Sequence, residues 1–119
     1  MPLRILVVDD NPHFRRTAVE LLTLRGFEVV GEASGGQEAL AAARHAQPDA
    51  VLLDINMPDL DGFAVARSLT REHPTIRIVL TSSATERVLA EDLDGSGATA
   101  FVPKAELATC DLTRLFDVR

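Results

Sequence analysis

Short, almost wholly apolar runs alternate along this chain with longer segments of helical period, and that alternation leaves few folds open. Leu3 to Val8 is apolar except at Arg4, and Ala50 to Leu53 is apolar throughout. Phe27 to Gly31, Ile76 to Thr81 and Ala98 to Val102 read as further strands. Strands apolar on both faces belong inside a sheet covered on both sides, and helices between them make parallel crossovers. The expectation is an α/β fold: a doubly wound five-stranded parallel sheet with five helices on its two faces. Right-handed crossovers bring the C-terminal ends of all strands to one edge, where open sheets of this kind bind ligands.

The helices have readable ends. Asn11-Pro12 supplies an N-cap and a proline at the first helical position. Phe14, Ala18, Leu21 and Leu22 then recur at helical spacing until Arg25-Gly26. Ser34 to Gln37 reads as a capping box for an Ala-rich helix that ends before Pro48. Asp61-Gly62 caps a helix that ends before Pro74. Ser83 to Glu86 reads as another capping box, leading into an acidic helix that Gly95 and Gly97 break. Ala105 to Phe116 is the last expected helix, though its apolar spacing is irregular.

A chain of 119 residues suits one domain, residues 1–119. No apolar run is long enough to span a bilayer, and no signal peptide opens the chain. One cysteine excludes an internal disulfide and fits a reducing, cytoplasmic setting. The net charge of −6 and the absence of Trp and Tyr argue against direct nucleic-acid binding and against an anionic membrane surface.

The acids are gathered at strand ends. The first strand runs into Asp9-Asp10, the third into Asp54, the fourth into Thr81-Ser82-Ser83 and the fifth into Lys104. Three carboxylates in one crevice repel and raise one another's pKa values. A hard divalent cation with oxygen ligands, Mg²⁺, resolves that repulsion. With Lys104 added the site is neutral, ready for a phosphoryl dianion that the metal and the ammonium stabilise together. A carboxylate facing such a group is a candidate nucleophile, giving an aspartyl phosphate.

Each residue alone has a plainer role. An Asp after a strand is commonly a helix N-cap, a lone Lys is usually solvated, and Ser83 reads as a cap. Their joint placement at four strand ends is what argues for a site. His13, His45 and His73 lack ligand spacing and read as surface residues. Cys110 reads as a partly buried helix residue. Glu86, Glu91, Asp92 and Asp94 read as a solvated helix face.

At this point the chain resembles the receiver (CheY-like) domain of bacterial two-component response regulators, over nearly its whole length. The stretches that carry the resemblance are Ile5 to Asp10, Leu53 to Pro58 with Asp61-Gly62, Ile78 to Ser82, and Gly97-Ala98 running to Phe101-Val-Pro-Lys104. The resemblance implies flavodoxin-like strand order 2-1-3-4-5. It implies that Asp54 is the phosphoacceptor, served by the phosphohistidine of a sensor histidine kinase. Mg²⁺ would be held by Asp10 and Asp54, by Asp9 largely through water, and by the backbone carbonyl of Asn56. Lys104 would pair with the phosphoryl group, with Ser82 as switch hydroxyl and Phe101 as switch aromatic. Phosphorylation would then change the partners of the surface built by the fourth helix, fifth strand and fifth helix, with homodimerisation as a further implication.

Adjacent strand residues face opposite ways, so one hydroxyl of Thr81, Ser82 and Ser83 should point at the phosphate. Spacing from Asp54 and Lys104 favours Ser82, with Thr81 the alternative. The register is nearest that of regulators carrying a helix-turn-helix output. The chain departs from the family pattern in three places. Ala105 follows Lys104 where many members have proline, and Pro103 precedes it. Phe101 replaces the commoner tyrosine, so no phenolic hydroxyl is available there. Ala84, two residues past Ser82, sits where members differ in handling the hydrolytic water.

The expected activity is a self-phosphorylating and self-dephosphorylating switch with no turnover of an external substrate. The output would be a separate protein or an effector domain not in this sequence. Two other readings compete. A Mg²⁺-dependent phosphohydrolase would place its nucleophile on the first strand with another Asp two residues on, and Asp9-Asp10-Asn11 fits that poorly. A binding module that works unphosphorylated finds its support in Ala105 and Phe101.

Overall fold

The structure is a computed structural model that describes residues 2–83 and 90–116. Strands β1 (Arg4–Val8), β2 (Glu28–Ala33), β3 (Ala50–Asp54), β4 (Arg77–Ser82) and β5 (Ala100–Pro103) form one sheet. Every neighbouring pair is parallel, and the order is β2-β1-β3-β4-β5. Helices α1 (Pro12–Leu24), α2 (Gly36–Ala46), α3 (Gly62–Glu72) and α4 (Ala90–Ser96) lie in the four crossovers, α5 (Leu112–Phe116) follows β5, and together they cover the sheet. This is the doubly wound, flavodoxin-like arrangement. No described helix is long and apolar enough to cross a membrane.

The two-residue period of the strands sorts the core into two layers. Leu6 and Val8, Val51 and Leu53, and Ile78 and Leu80 face one side, where they pack on Ala39 and Ala43 of α2 and Val65, Ala66 and Leu69 of α3. Ile5 and Val7, Ala50 and Leu52, and Val79 face the other, against Ala18 and Leu22 of α1 and Leu112 and Phe116 of α5. Both layers are closed to solvent, which is why the strands read as apolar runs rather than as alternating ones.

The caps fall largely as the sequence reading expects. Asn11 caps α1, accepting from the amides of His13 and Phe14, and Asp61 caps α3, accepting from Phe63. The α2 cap is different. Gly35 occupies the N-cap without a side-chain bond, and Ser34 Oγ instead meets Glu38 Oε2 at 3.1 Å. The cap comes from Asp59, a residue distant in sequence. Gly95 does not break α4. The helix runs through it to Ser96, and Gly97, at φ +80°, ends it. The capping box expected at Ser83 to Glu86 lies largely outside the described residues.

The last expected helix, Ala105 to Phe116, is split. Lys104–Glu106 forms a single 3₁₀ turn, turns follow, and α5 begins only at Leu112. The reason is phase: Leu107, Leu112 and Phe116 are all buried, and one uninterrupted helix would not bring Leu107 and Leu112 to the same face. Asp111 restarts the helix by accepting from the Arg114 amide at 3.1 Å. Cys110 therefore sits in the bend before α5, half-buried, not within a helix.

Candidate functional site

The C-terminal edge of the sheet gathers the expected residues. Asp9 follows β1 and is buried, and its Oδ1 accepts from the Asn11 amide at 2.9 Å. Its backbone is fixed by a 3.0 Å hydrogen bond to Ala33 O and by Arg15 Nη1 donating to its carbonyl at 2.8 Å. Asp10, next in the chain, is exposed. Asp54 ends β3 and is 3% exposed. Asp9, Asp10 and Asp54 each offer a carboxylate oxygen, and these oxygens lie within 4.8 Å of one another.

Lys104 enters from the end of β5. Its Nζ is 2.7 Å from Asp9 Oδ2 and 3.6 Å from Asp54 Oδ2. The contact with Asp9 is an ion pair without the alignment of a hydrogen bond. The ammonium also lies 4.4 Å from the centroid of the Phe14 ring, a cation–π contact from α1. Pro103 before Lys104 and Ala105 after it thus leave the lysine in reach of two of the three carboxylates.

These charges act unequally on Asp54. Burial raises its pKa from 3.8 to about 6. The Asn56 amide, donating to Oδ1 at 3.1 Å, opposes that rise, the charge of Asp9 adds to it, Lys104 opposes it and Asp10 adds to it. Desolvation wins because the strand end is sealed by the sheet. A buried carboxylate crowded by two others is a site short of positive charge, with oxygen donors of the kind that hard divalent ions take.

Ser82 and Thr81 point to opposite faces of β4, and both are buried. Ser82 Oγ accepts from Asn56 Nδ2 at 2.9 Å. Thr81 Oγ1 has no hydrogen-bond partner among the described residues. Phe101, opposite Leu80 across β4 and β5, is half-buried on the α3 side of the sheet. The Asn56 side chain was not legible in the sequence as a partner of Ser82, because nothing local links positions on two different strand ends. Phe14 and Asp59 were missed for the same reason.

Of the remaining polar residues, His13 and His45 are exposed, and Asp92 and Asp94 form a solvated part of α4. His73 is only half-exposed, with Nε2 buried. Glu86 lies outside the described residues, as does the side chain of Glu91.

Comparison with known proteins places this geometry. The family model described as "Response regulator receiver domain" matches residues 5–115. A protein-glutamate methylesterase/protein-glutamine glutaminase of Alkalilimnicola ehrlichii is 41% identical over 87% of this chain, which spans 27% of that protein. Response regulator GacA of Pseudomonas viridiflava is 37% identical over 86% of this chain, which spans 48% of that protein. The chain thus covers half or less of the length of these relatives. A crystal structure of a LuxR-family two-component response regulator from Aurantimonas sp. SI85-9A1 superposes with a TM-score of 0.86 at 28% identity, covering 96% of this chain and 81% of that one. The strand order, the acidic strand ends and the match across residues 5–115 converge: the chain belongs to the response regulator receiver domains, the phosphoacceptor signalling switches of two-component systems.

Proposed function

We propose that residues 1–119 form one receiver domain in which Asp54 accepts the phosphoryl group. The observation that carries this reading is the buried Asp54 carboxylate, set among the oxygens of Asp9 and Asp10 with Lys104 Nζ at 3.6 Å. An Asp54 oxygen attacks the phosphorus of a phosphohistidine on a sensor histidine kinase. The O–P bond forms, the N–P bond breaks, and the electron pair returns to the imidazole, which takes up a proton. The residues that would hold Mg²⁺ are Asp9, Asp10, Asp54 and the Asn56 backbone carbonyl. When bound, the ion supplies positive charge to the phosphoryl oxygens.

Lys104 pairs with a second phosphoryl oxygen. Ser82 is the switch hydroxyl, and its hydrogen bond from Asn56 is the contact exchanged for the phosphoryl group. Phe101, a ring without a hydroxyl, transmits that change by packing. The α4–β5–α5 surface then changes partner, either an output protein or an attached effector domain, and homodimerisation is one form that change takes. The domain works in the cytoplasm, turns over no external substrate, and binds neither nucleic acid nor membrane directly.

Intact mass after incubation with acetyl phosphate and Mg²⁺ tests the reading. A single phosphoryl adduct is expected on the wild type, absent with chelator and absent in Asp54→Asn. An adduct that survives in Asp54→Asn sinks the assignment. Lys104→Met is expected to slow adduct formation about 10- to 100-fold, below the largest losses seen for enclosed charge-stabilising groups because this ammonium is partly solvated. A rate within twofold of wild type would remove Lys104 from the mechanism.

A further inference from the structure

The loop between β3 and α3 carries Asn56, and its outer end is tied to a different helix. Asp59 Oδ1 accepts from the Gly36 amide at 2.9 Å, and Oδ2 accepts from the Gln37 amide at 3.1 Å. These amides open α2 and have no partner within their own helix. Their pull holds the Asp59 carboxyl below its ordinary pKa. Helix α2 has no cap of its own, because Gly35 brings no side chain to the N-cap position.

Gly35 and Asp59 fit as a pair. A Cβ at Gly35 would lie 3.0 Å from Asp59 Oδ1, so an ordinary serine or aspartate cap would crowd the incoming carboxylate. The next residue tells the same story. A Cβ at Gly36 would meet Leu60 Cβ at 2.7 Å and Val65 Cγ2 at 2.9 Å. The inner end of the loop is closed separately, by the Asn56–Asp61 bridge and by the Gly62 amide donating to Ile55 O at 3.1 Å. Asn56 thus lies in a loop anchored on the sheet at one end and on α2 at the other.

We infer that Asp59 is a positioning residue for the metal site: it uses the α2 N-terminus as a fixed post and so holds the Asn56 segment in place. The inference rests on the proposed role of the Asn56 carbonyl as a Mg²⁺ ligand. Groups that orient a ligand without touching the ion commonly change metal affinity when removed.

The test separates positioning from capping. Mg²⁺ affinity is measured by calorimetric titration, and the urea midpoint is measured in metal-free buffer, for wild type, Asp59→Ala and Asp59→Ala/Gly35→Ser. Asp59→Ala is expected to weaken Mg²⁺ binding about tenfold and to lower the urea midpoint. The second substitution gives α2 a local cap at an extended residue, φ −165°, now cleared of the carboxylate. It should restore the midpoint while Mg²⁺ binding stays weak. Mg²⁺ binding that recovers together with the midpoint would make Asp59 a cap and nothing more. Unchanged affinity in Asp59→Ala beside a wild type that binds normally overturns this inference alone. A folded wild type that takes up no Mg²⁺ overturns the site reading and this inference with it.

Discussion

Asp54→Asn is expected to abolish phosphoryl uptake while making the metal-free protein more stable. The loss is complete because an amide oxygen is not a nucleophile of comparable strength and no other carboxylate holds the same place at the end of β3. The gain follows from the pKa. Asp54 in the folded state holds its proton up to about pH 6, against an ordinary 3.8. Between those values the folded state binds more protons than the unfolded one, so stability falls as pH rises through that window. Above pH 6 the full penalty of an ionised, buried Asp54 is present, and below about pH 4 it is gone. Full conversion of the shift gives about 3 kcal/mol, and solvent at the exposed Asp10 screens part of it, leaving about 1–2 kcal/mol. Urea unfolding of both proteins in chelator at pH 4 and pH 7.5 checks it. The variant should lead by that amount at pH 7.5 and lose its lead at pH 4. A lead that is equal at both pH values would show that charge is not the cause.

Gly62→Ala is expected to destabilise the protein by about 1–2 kcal/mol and to slow phosphoryl uptake with it. Two effects oppose each other at this position. Alanine favours a helix over glycine by about 0.5–1 kcal/mol. Against that, the new Cβ would sit 2.7 Å from Asp54 O and closer still to Ile55 Cα. Those are backbone atoms, which cannot rotate away as a side chain can, and overpacking of this kind commonly costs 1–3 kcal/mol. The strain falls on the Asp54–Ile55 segment that carries the proposed nucleophile, so uptake and stability are expected to drop together. Gly95→Ala is the control, since Gly95 lies in α4 and, among the described residues, the new Cβ meets nothing within 4 Å beyond its own helix. Urea midpoints for the two variants should move in opposite directions or leave Gly95→Ala unmoved. Equal destabilisation in both would remove the steric account.

The candidate site was legible wherever a residue's place depends on its own strand. Asp9, Asp54, Ser82 and Lys104 each stand at or just past the C-terminal end of a parallel strand, and parallel strands share one edge. Elements with a local signal were equally readable, as with Asn11 before Pro12 or Asp61 before Gly62. Contacts across elements were not. The hydrogen bond from Asn56 to Ser82, the ring of Phe14 beneath Lys104 and the ion pair of Lys104 with Asp9 each join segments far apart in the chain. The capping box at Ser34 misled for a related reason: its signature is local, while the stronger acceptor, Asp59, arrives from another loop.

The sequence by itself determined the five-stranded parallel sheet, the edge at which the site assembles and the chemistry of the residues there. Periodicity and strand-end position are properties of short segments, and each segment carries its own apolar pattern. The tertiary structure alone decided where α2 finds its cap, which oxygen Lys104 meets at 2.7 Å, and where the final helix breaks between Leu107 and Leu112. Those outcomes depend on distances between segments, and such distances exist only once both core layers have closed on the sheet.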